Sequence, residues 1–197
     1  MDGINQTVSG RLPVLSEQQL VSCSKSNKGC KGGWYVRAFQ YFIKNGGITS
    51  ENVYNYTATD SACRKKLDGH HYQLLKYWLR TPISERSLRR FVFKQPISVS
   101  IYASPHFKSY KSGIFSGADC SSMIRTCKNL NHVALIEGCD SLVAGQDYWI
   151  VKNSWGSSWG QSGYIFIKRN TGSSRGVCSI NCSGAYTQPK GRKKHQF

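Results

Sequence analysis

The hydrophobic repeat of this chain changes period near residue 96, and that change restricts the possible folds more than any other feature of its 197 residues. Upstream, Tyr35, Ala38, Phe39 and Phe42 recur at i, i+3, i+4 and i+7, the spacing of one apolar helix face, and Asn45-Gly46-Gly47 supplies a stop. Ser16-Glu17-Gln18-Gln19 has the pattern of a capping box, in which the Ser16 hydroxyl and the Gln19 side chain satisfy backbone donors reciprocally at the start of a short helix reaching about Val21. A basic helix is predicted over 84–94, with Leu88, Phe91 and Val92 inward and Gln95-Pro96 ending it. Downstream, Ile97, Val99 and Ile101 alternate with Ser98, Ser100 and Tyr102, and residues 133–136, 148–152 and 164–168 are further β-rich runs. Helices followed by antiparallel strands indicate the α+β class, with a mainly helical lobe over 1–95, a β lobe over 96–189 and a cleft between them.

The length suits one compact unit or two small lobes sharing an interface. No run of about 20 apolar residues is present to span a bilayer, and Met1-Asp2-Gly3-Ile4-Asn5 has neither the basic nor the apolar region of a secretory signal. Eight cysteines, with sequons at Asn5, Asn55 and Asn181, favour an oxidising compartment and glycosylation. None of the cysteine spacings is C-x-x-C, so neither a metal site nor any cofactor is expected. The net charge of +17 creates a positive field attractive to acidic partners without naming one, and residues 190–197 read as a disordered basic tail.

Three segments carry unusual chemistry. They are Cys23 through Gly33, the run beginning Asn131-His132-Val133, and Lys152-Asn153-Ser154-Trp155-Gly156-Ser157-Ser158-Trp159-Gly160. A neutral imidazole can withdraw a proton from a thiol, and an amide oxygen on its other ring nitrogen would fix tautomer and orientation, so His132 and Asn153 are candidates for a base and its orienting group. The same two residues also fit a satisfied core histidine and an ordinary turn asparagine.

Ser16-Glu17-Gln18-Gln19-Leu20-Val21-x-Cys23, Gly29-Cys30-x-Gly32-Gly33, Asn131-His132 and Asn153-Ser154-Trp155-Gly156-x-x-Trp159-Gly160 resemble, in order and type, the landmarks of papain-like cysteine proteases of the plant and cathepsin L-like kind. The resemblance runs from Asp2 to about Pro189. It implies a two-lobe papain-like fold that hydrolyses peptide bonds through a Cys-His-Asn arrangement, with His132 as general base and acid, Asn153 orienting it and Trp155 covering their hydrogen bond. It also implies that Trp159 supports the primed side of the cleft and that Gly32 and Gly33 meet substrate backbone. Trp34, Tyr35, Ser100, Leu130 and Val133, with Asn131 beside them, would surround a pocket for a hydrophobic side chain two residues before the scissile bond. For Trp34 and Tyr35, plain helix packing is the competing reading. The implied partners are peptide or protein substrates and cystatin-like inhibitors, with no nucleic acid, no membrane span and a monomeric chain in a vacuolar, lysosomal or extracellular setting.

In that family the nucleophile lies in a Cys-Gly-[Ser/Ala]-Cys-[Trp/Tyr] segment roughly 130 to 150 residues before the histidine and asparagine. No cysteine precedes Cys23, so the segment, with its oxyanion-hole glutamine, is expected upstream of Met1; the chain as given is expected to lack activity and to fold poorly. The resemblance further pairs Cys23 with Cys63 and Cys120 with Cys178 and leaves Cys30 unpaired. Among Cys127, Cys139 and Cys182 the pairing stays open, with Cys127 to Cys182 the one suggested. Two other classes remain: a noncatalytic peptide-binding or regulatory homologue, and a basic protein that binds nucleic acid or anionic surfaces.

Overall fold

The computed structural model describes residues 3, 10, 12–64, 72–120, 127–142 and 145–189. Helix α1 (Glu17–Cys23) begins where the Ser16 Oγ accepts from the Gln19 N–H at 3.0 Å. Only this half of the capping box forms. Gln19 is 2% exposed, and its amide must find partners inside: Oε1 accepts from Thr49 N at 2.9 Å and Nε2 donates to the Tyr41 hydroxyl at 3.1 Å. Ser16 N donates instead to the Thr49 carbonyl at 3.0 Å, where Leu15 bridges to Ser50.

Helix α2 (Tyr35–Lys44) buries Phe39 and Phe42 of the expected stripe, while Tyr35 and Ala38 are half-buried and Val36, outside the expected stripe, is buried as well. It ends as Gly47 N donates to the Phe42 carbonyl at 2.9 Å. Strand β1 (Leu74–Arg80) follows, then helix α3 (Glu85–Val92), capped by Ser84 through Ser87 N at 3.2 Å. Leu88 and Val92 of α3 are buried, and Phe91 stacks on Tyr186 with ring centroids 4.4 Å apart.

The remaining elements are β2 (Ile97–Ile101), the single-turn helix α4 (Pro105–Lys108), β3 (Ile114–Phe115), β4 (His132–Ser141), β5 (Asp147–Lys152), β6 (Tyr164–Lys168) and β7 (Gly184–Pro189). The strands among them join β1 in one sheet of order β1-β7-β2-β4-β5-β6-β3. Pairing is antiparallel from β2 through β4 and β5 to β6, while β3 adds in parallel to β6. Ile97, Val99, Ile101, Ile136, Val151, Ile165 and Ile167 are fully buried together with Trp149, so alternation in the sequence marks a real inner face. Each such aliphatic side chain contributes roughly 1.5–3 kcal/mol of burial. Strands β1 and β7 had no alternating pattern to announce them: β1 reads Leu-Leu-Lys-Tyr-Trp-Leu-Arg, and β7 is short and mostly small or polar.

The chain divides into two compact units, Met1–Trp78 with Thr187–Phe197, and Leu79–Tyr186, so α3 belongs with the sheet strands β2 to β6. Cys23–Cys63 closes a 40-residue separation in the first unit; Cys120–Cys178 and Cys127–Cys182 tie the second. Cys30 and Cys139 are free. Among the described residues no helix is long and apolar enough to cross a membrane, and no group of three metal-ligating side chains occurs.

The sequons fare differently. Asn55 is exposed, whereas Asn181 is 1% exposed and next to the disulfide-bonded Cys182, so burial removes Asn181 as a glycan acceptor in the folded chain. Asn5 and the basic tail 190–197 lie outside the described residues.

Candidate active site

His132 is the first residue of β4 and stands opposite Ile101 at the end of β2. Asn131 fixes the entry to that strand: its N–H donates to the Ile101 carbonyl at 3.1 Å, and its Oδ1 accepts from Ala103 N at 2.7 Å. Asn153 follows the last residue of β5, and its N–H donates to the Gly163 carbonyl at 2.9 Å. Because β4 and β5 are antiparallel neighbours, the start of one lies beside the end of the other, which brings together residues 21 positions apart.

The His132 Nε2 and Asn153 Oδ1 are 2.8 Å apart. Ser154 N also donates to that Oδ1, at 2.9 Å, and a backbone N–H can bond only to the amide oxygen. The oxygen therefore faces the ring, Nε2 must carry the proton, and the neutral ring holds its lone pair on Nδ1, for which no described residue is a partner. Asn153 is 9% exposed, and its Nδ2 has no hydrogen-bond partner among the described residues.

Aromatic rings wall in this pair. Trp155 lies 4.7 Å from the imidazole, centroid to centroid and tilted by 33°, and Phe107 lies 6.2 Å away. Phe107, fully buried, also meets Trp155 edge-on at 5.8 Å and Trp159 at 5.5 Å, while the two indoles contact each other at 5.1 Å. Trp159 is anchored by its Nε1, which donates to the Lys108 carbonyl at 2.9 Å. Such a shell removes water from the imidazole–amide bond and strengthens it. The turn carrying both tryptophans needs glycine at 160, where φ is +57° and a Cβ would stand 2.4 Å from the Tyr164 carbonyl oxygen.

Phe107 belongs to none of the sequence motifs, although Ser104-Pro105 before it is a helix-start signal. The Ser104 Oγ caps α4 through Phe107 N at 3.1 Å and donates to Asp119 at 2.9 Å. Asp119 also accepts from His106 N at 2.9 Å and faces the His106 ring at 3.2 Å. Burial pushes the Asp119 carboxyl up, but the His106 and Ser104 hydrogen bonds and the His106 charge outweigh it and hold the group below the usual carboxylate range.

Ser100 is buried in β2 and registers opposite Val133, and Leu130 is half-buried before β4; these join Asn131, His132, Asn153, Trp155 and Trp159 in the second unit. Gly32, Gly33, Trp34 and Tyr35 belong to the first. There the glycines answer local demands: Gly32 has φ +98° with open space around it, and a Cβ on Gly33 would meet Asn27 Oδ1 at 2.5 Å. That oxygen accepts from Trp34 N at 2.9 Å. Trp34 is 41% exposed ahead of α2, and Tyr35 packs edge-on against Trp34 and Phe39.

The model of the papain family cysteine proteases matches residues 1–188. The chain belongs to that family. It is 45% identical to zingipain-1 of Zingiber officinale over 187 residues, covering 94% of this chain and 81% of that protein. To fruit bromelain of Ananas comosus it is 39% identical, covering 91% of this chain and 49% of that one. A bromelain protease of Ananas comosus solved in complex with the E64 inhibitor superposes with a TM-score of 0.84 at 38% identity, over 94% of this chain and 83% of that one. A Carica candamarcensis cysteine protease, also with E-64, superposes at 0.81 and 30% identity over 94% and 82%. The papain-like α+β fold expected from the motifs is thus the fold found.

No cysteine precedes Cys23, and six of the eight are in disulfides. Cys139 lies seven residues along β4 from His132, roughly 20 Å at strand rise, and cannot meet the imidazole. Cys30 is exposed in the first unit, where Asp60 lies against it; burial and that carboxylate raise its thiol pKa and disfavour the thiolate a nucleophile requires.

Proposed function

We propose that this domain performs the base half of thiol-dependent peptide hydrolysis. His132 takes the proton from a cysteine thiol through Nδ1 and returns it to the leaving amine; Asn153 holds the ring in the required tautomer. The observation that carries the reading is the 2.8 Å pairing of His132 Nε2 with Asn153 Oδ1, which leaves Nδ1 as the acceptor. Trp155 shields the pair, and Trp159 supports the adjoining surface. In the first unit Gly32 and Gly33 receive substrate backbone; in the second, Ser100, Leu130, Asn131 and Val133 present a surface for a hydrophobic substrate side chain.

In this reading none of the eight cysteines serves as the nucleophile, so the chain as given does not cleave peptide bonds on its own. Three disulfides favour work in an oxidising compartment, vacuolar or extracellular. Hydrolysis of a fluorogenic dipeptide with a hydrophobic penultimate residue, under reducing and mildly acidic conditions, tests this. The chain as given should be inactive, a chain extended upstream with a Cys-bearing segment should be active, and His132→Ala should abolish that activity. Turnover by the unextended chain would refute the assignment; no turnover by the extended, folded chain would favour a noncatalytic peptide-binding role.

A further inference from the structure

Away from the histidine, α3 presents Arg86, Arg89, Arg90 and Phe93 at i, i+3, i+4 and i+7, which places them on one face. All three arginines are exposed, and Phe93 is 68% exposed. Among the described residues the Arg86 and Arg90 guanidinium groups have no ion-pair or hydrogen-bond partner, so two like charges stand one turn apart on this face, an arrangement that costs helix stability.

The face opens on a concavity of about 450 Å³ lined by Glu85, Arg86, Arg89, Arg90, Phe93, Arg169 and Asn170. Arg169 is 8% exposed and is fixed by Asp147 at 3.2 Å and by the Trp149 ring; its Nε is buried with no partner. Four guanidinium groups and one carboxylate, Glu85, thus line the concavity. Asn170 N donates to Glu85 Oε2 at 2.9 Å, while Glu85 Oε1 is buried with no hydrogen-bond partner among the described residues. Asp147, which holds Arg169, also accepts from the Asn170 side chain.

We propose that this concavity is a docking site for a linear acidic polysaccharide, whose carboxylate or sulfate groups pair with Arg86, Arg89 and Arg90 while a sugar ring lies on Phe93. Guanidinium forks match such oxyanions in a bidentate manner, and an exposed aromatic ring beside them supplies an apolar face at low entropic cost. The charge of the whole chain, +17, draws the polyanion in, and α3 gives it a defined seat. Three disulfides favour an oxidising compartment, where acidic polysaccharide rather than nucleic acid is the common polyanion.

Titration of the whole chain with tetragalacturonate and, separately, with a sulfated heparin tetrasaccharide tests the site and separates the two anion types. At least one should bind, with affinity falling at least tenfold in R86E/R90E and less in R86Q/R90Q. The equally charge-changed control K25E/K44E should bind like the native chain. Near-ultraviolet circular dichroism of each variant reports folding independently, and the glutamine pair stands in should the charge reversal unfold the chain. Unchanged affinity in R86Q/R90Q and R86E/R90E, an equal loss in the lysine control, no binding of either sugar, or tighter binding of a single-stranded DNA of equal charge would each overturn the proposal.

Discussion

The turn around Asn153 and the loop around Gly33 are both motif-rich, but they are built in opposite ways. At Asn153 the organisation is side chain upon side chain: an imidazole and an amide 2.8 Å apart, enclosed by Trp155, Phe107 and Trp159. At Gly33 it is backbone held by side chains: Asn27 Oδ1 takes the Trp34 N–H, Asp60 takes the Cys30 N–H, and the glycines stand where a Cβ is strained or crowded. A side-chain site fails when a buried ring is lost. A backbone site fails when a methyl is gained.

The comparison should break first at Phe107. Phe107→Ala should destabilise the chain by about 4 kcal/mol, as for a fully buried aromatic, and should loosen Trp155 and Trp159; chemical denaturation monitored by tryptophan emission measures both. Next, Gly160→Ala should cost about 3 kcal/mol, because both the positive φ and the Tyr164 carbonyl resist a methyl, and the same melt reads it.

In the first unit the effects should be smaller and separable. Gly32→Ala should cost about 1–2 kcal/mol from its φ of +98° alone, since nothing crowds the site. Gly33→Ala should act instead through Asn27, so Asn27→Ser should relieve part of its cost in a double-mutant cycle while leaving Gly32→Ala unaffected.

The smallest effect concerns acid. The folded-state pKa of Asp119 is depressed, so its contribution is present above the unfolded value of about 3.9 and is lost as pH falls below it. Asp119→Asn should lower stability at neutral pH and flatten the decline below about pH 4, as followed by thermal melts across that range.

The sequence made some of this legible and hid the rest for physical reasons. Residues such as Phe39, Leu88 and Val99 declared their elements because a single buried face imposes a period. Strand β7 declared nothing, since Gly184, Ala185 and Thr187 are small or polar residues buried by their neighbours rather than by their own hydrophobicity. His132 and Asn153 could be nominated from their motifs, but their pairing depends on the register of β4 against β5, which no local pattern specifies. Phe107 escaped notice because its helix is four residues long. Gln19 deceived for the reverse reason: a local motif was overridden by a buried amide satisfying Thr49 and Tyr41.

Asn153 Oδ1 pairs with the Nε2 of His132, which leaves Nδ1 as the nitrogen that the proposed proton transfer uses. Nitrogen-15 NMR of the His132 ring under mildly alkaline conditions, in the native chain and in Asn153→Ala, tests it most directly. The account predicts the proton on Nε2 in the native chain and a mixture of tautomers in the variant; a proton on Nδ1 in the native chain, or a spectrum unmoved by loss of Asn153, would contradict it.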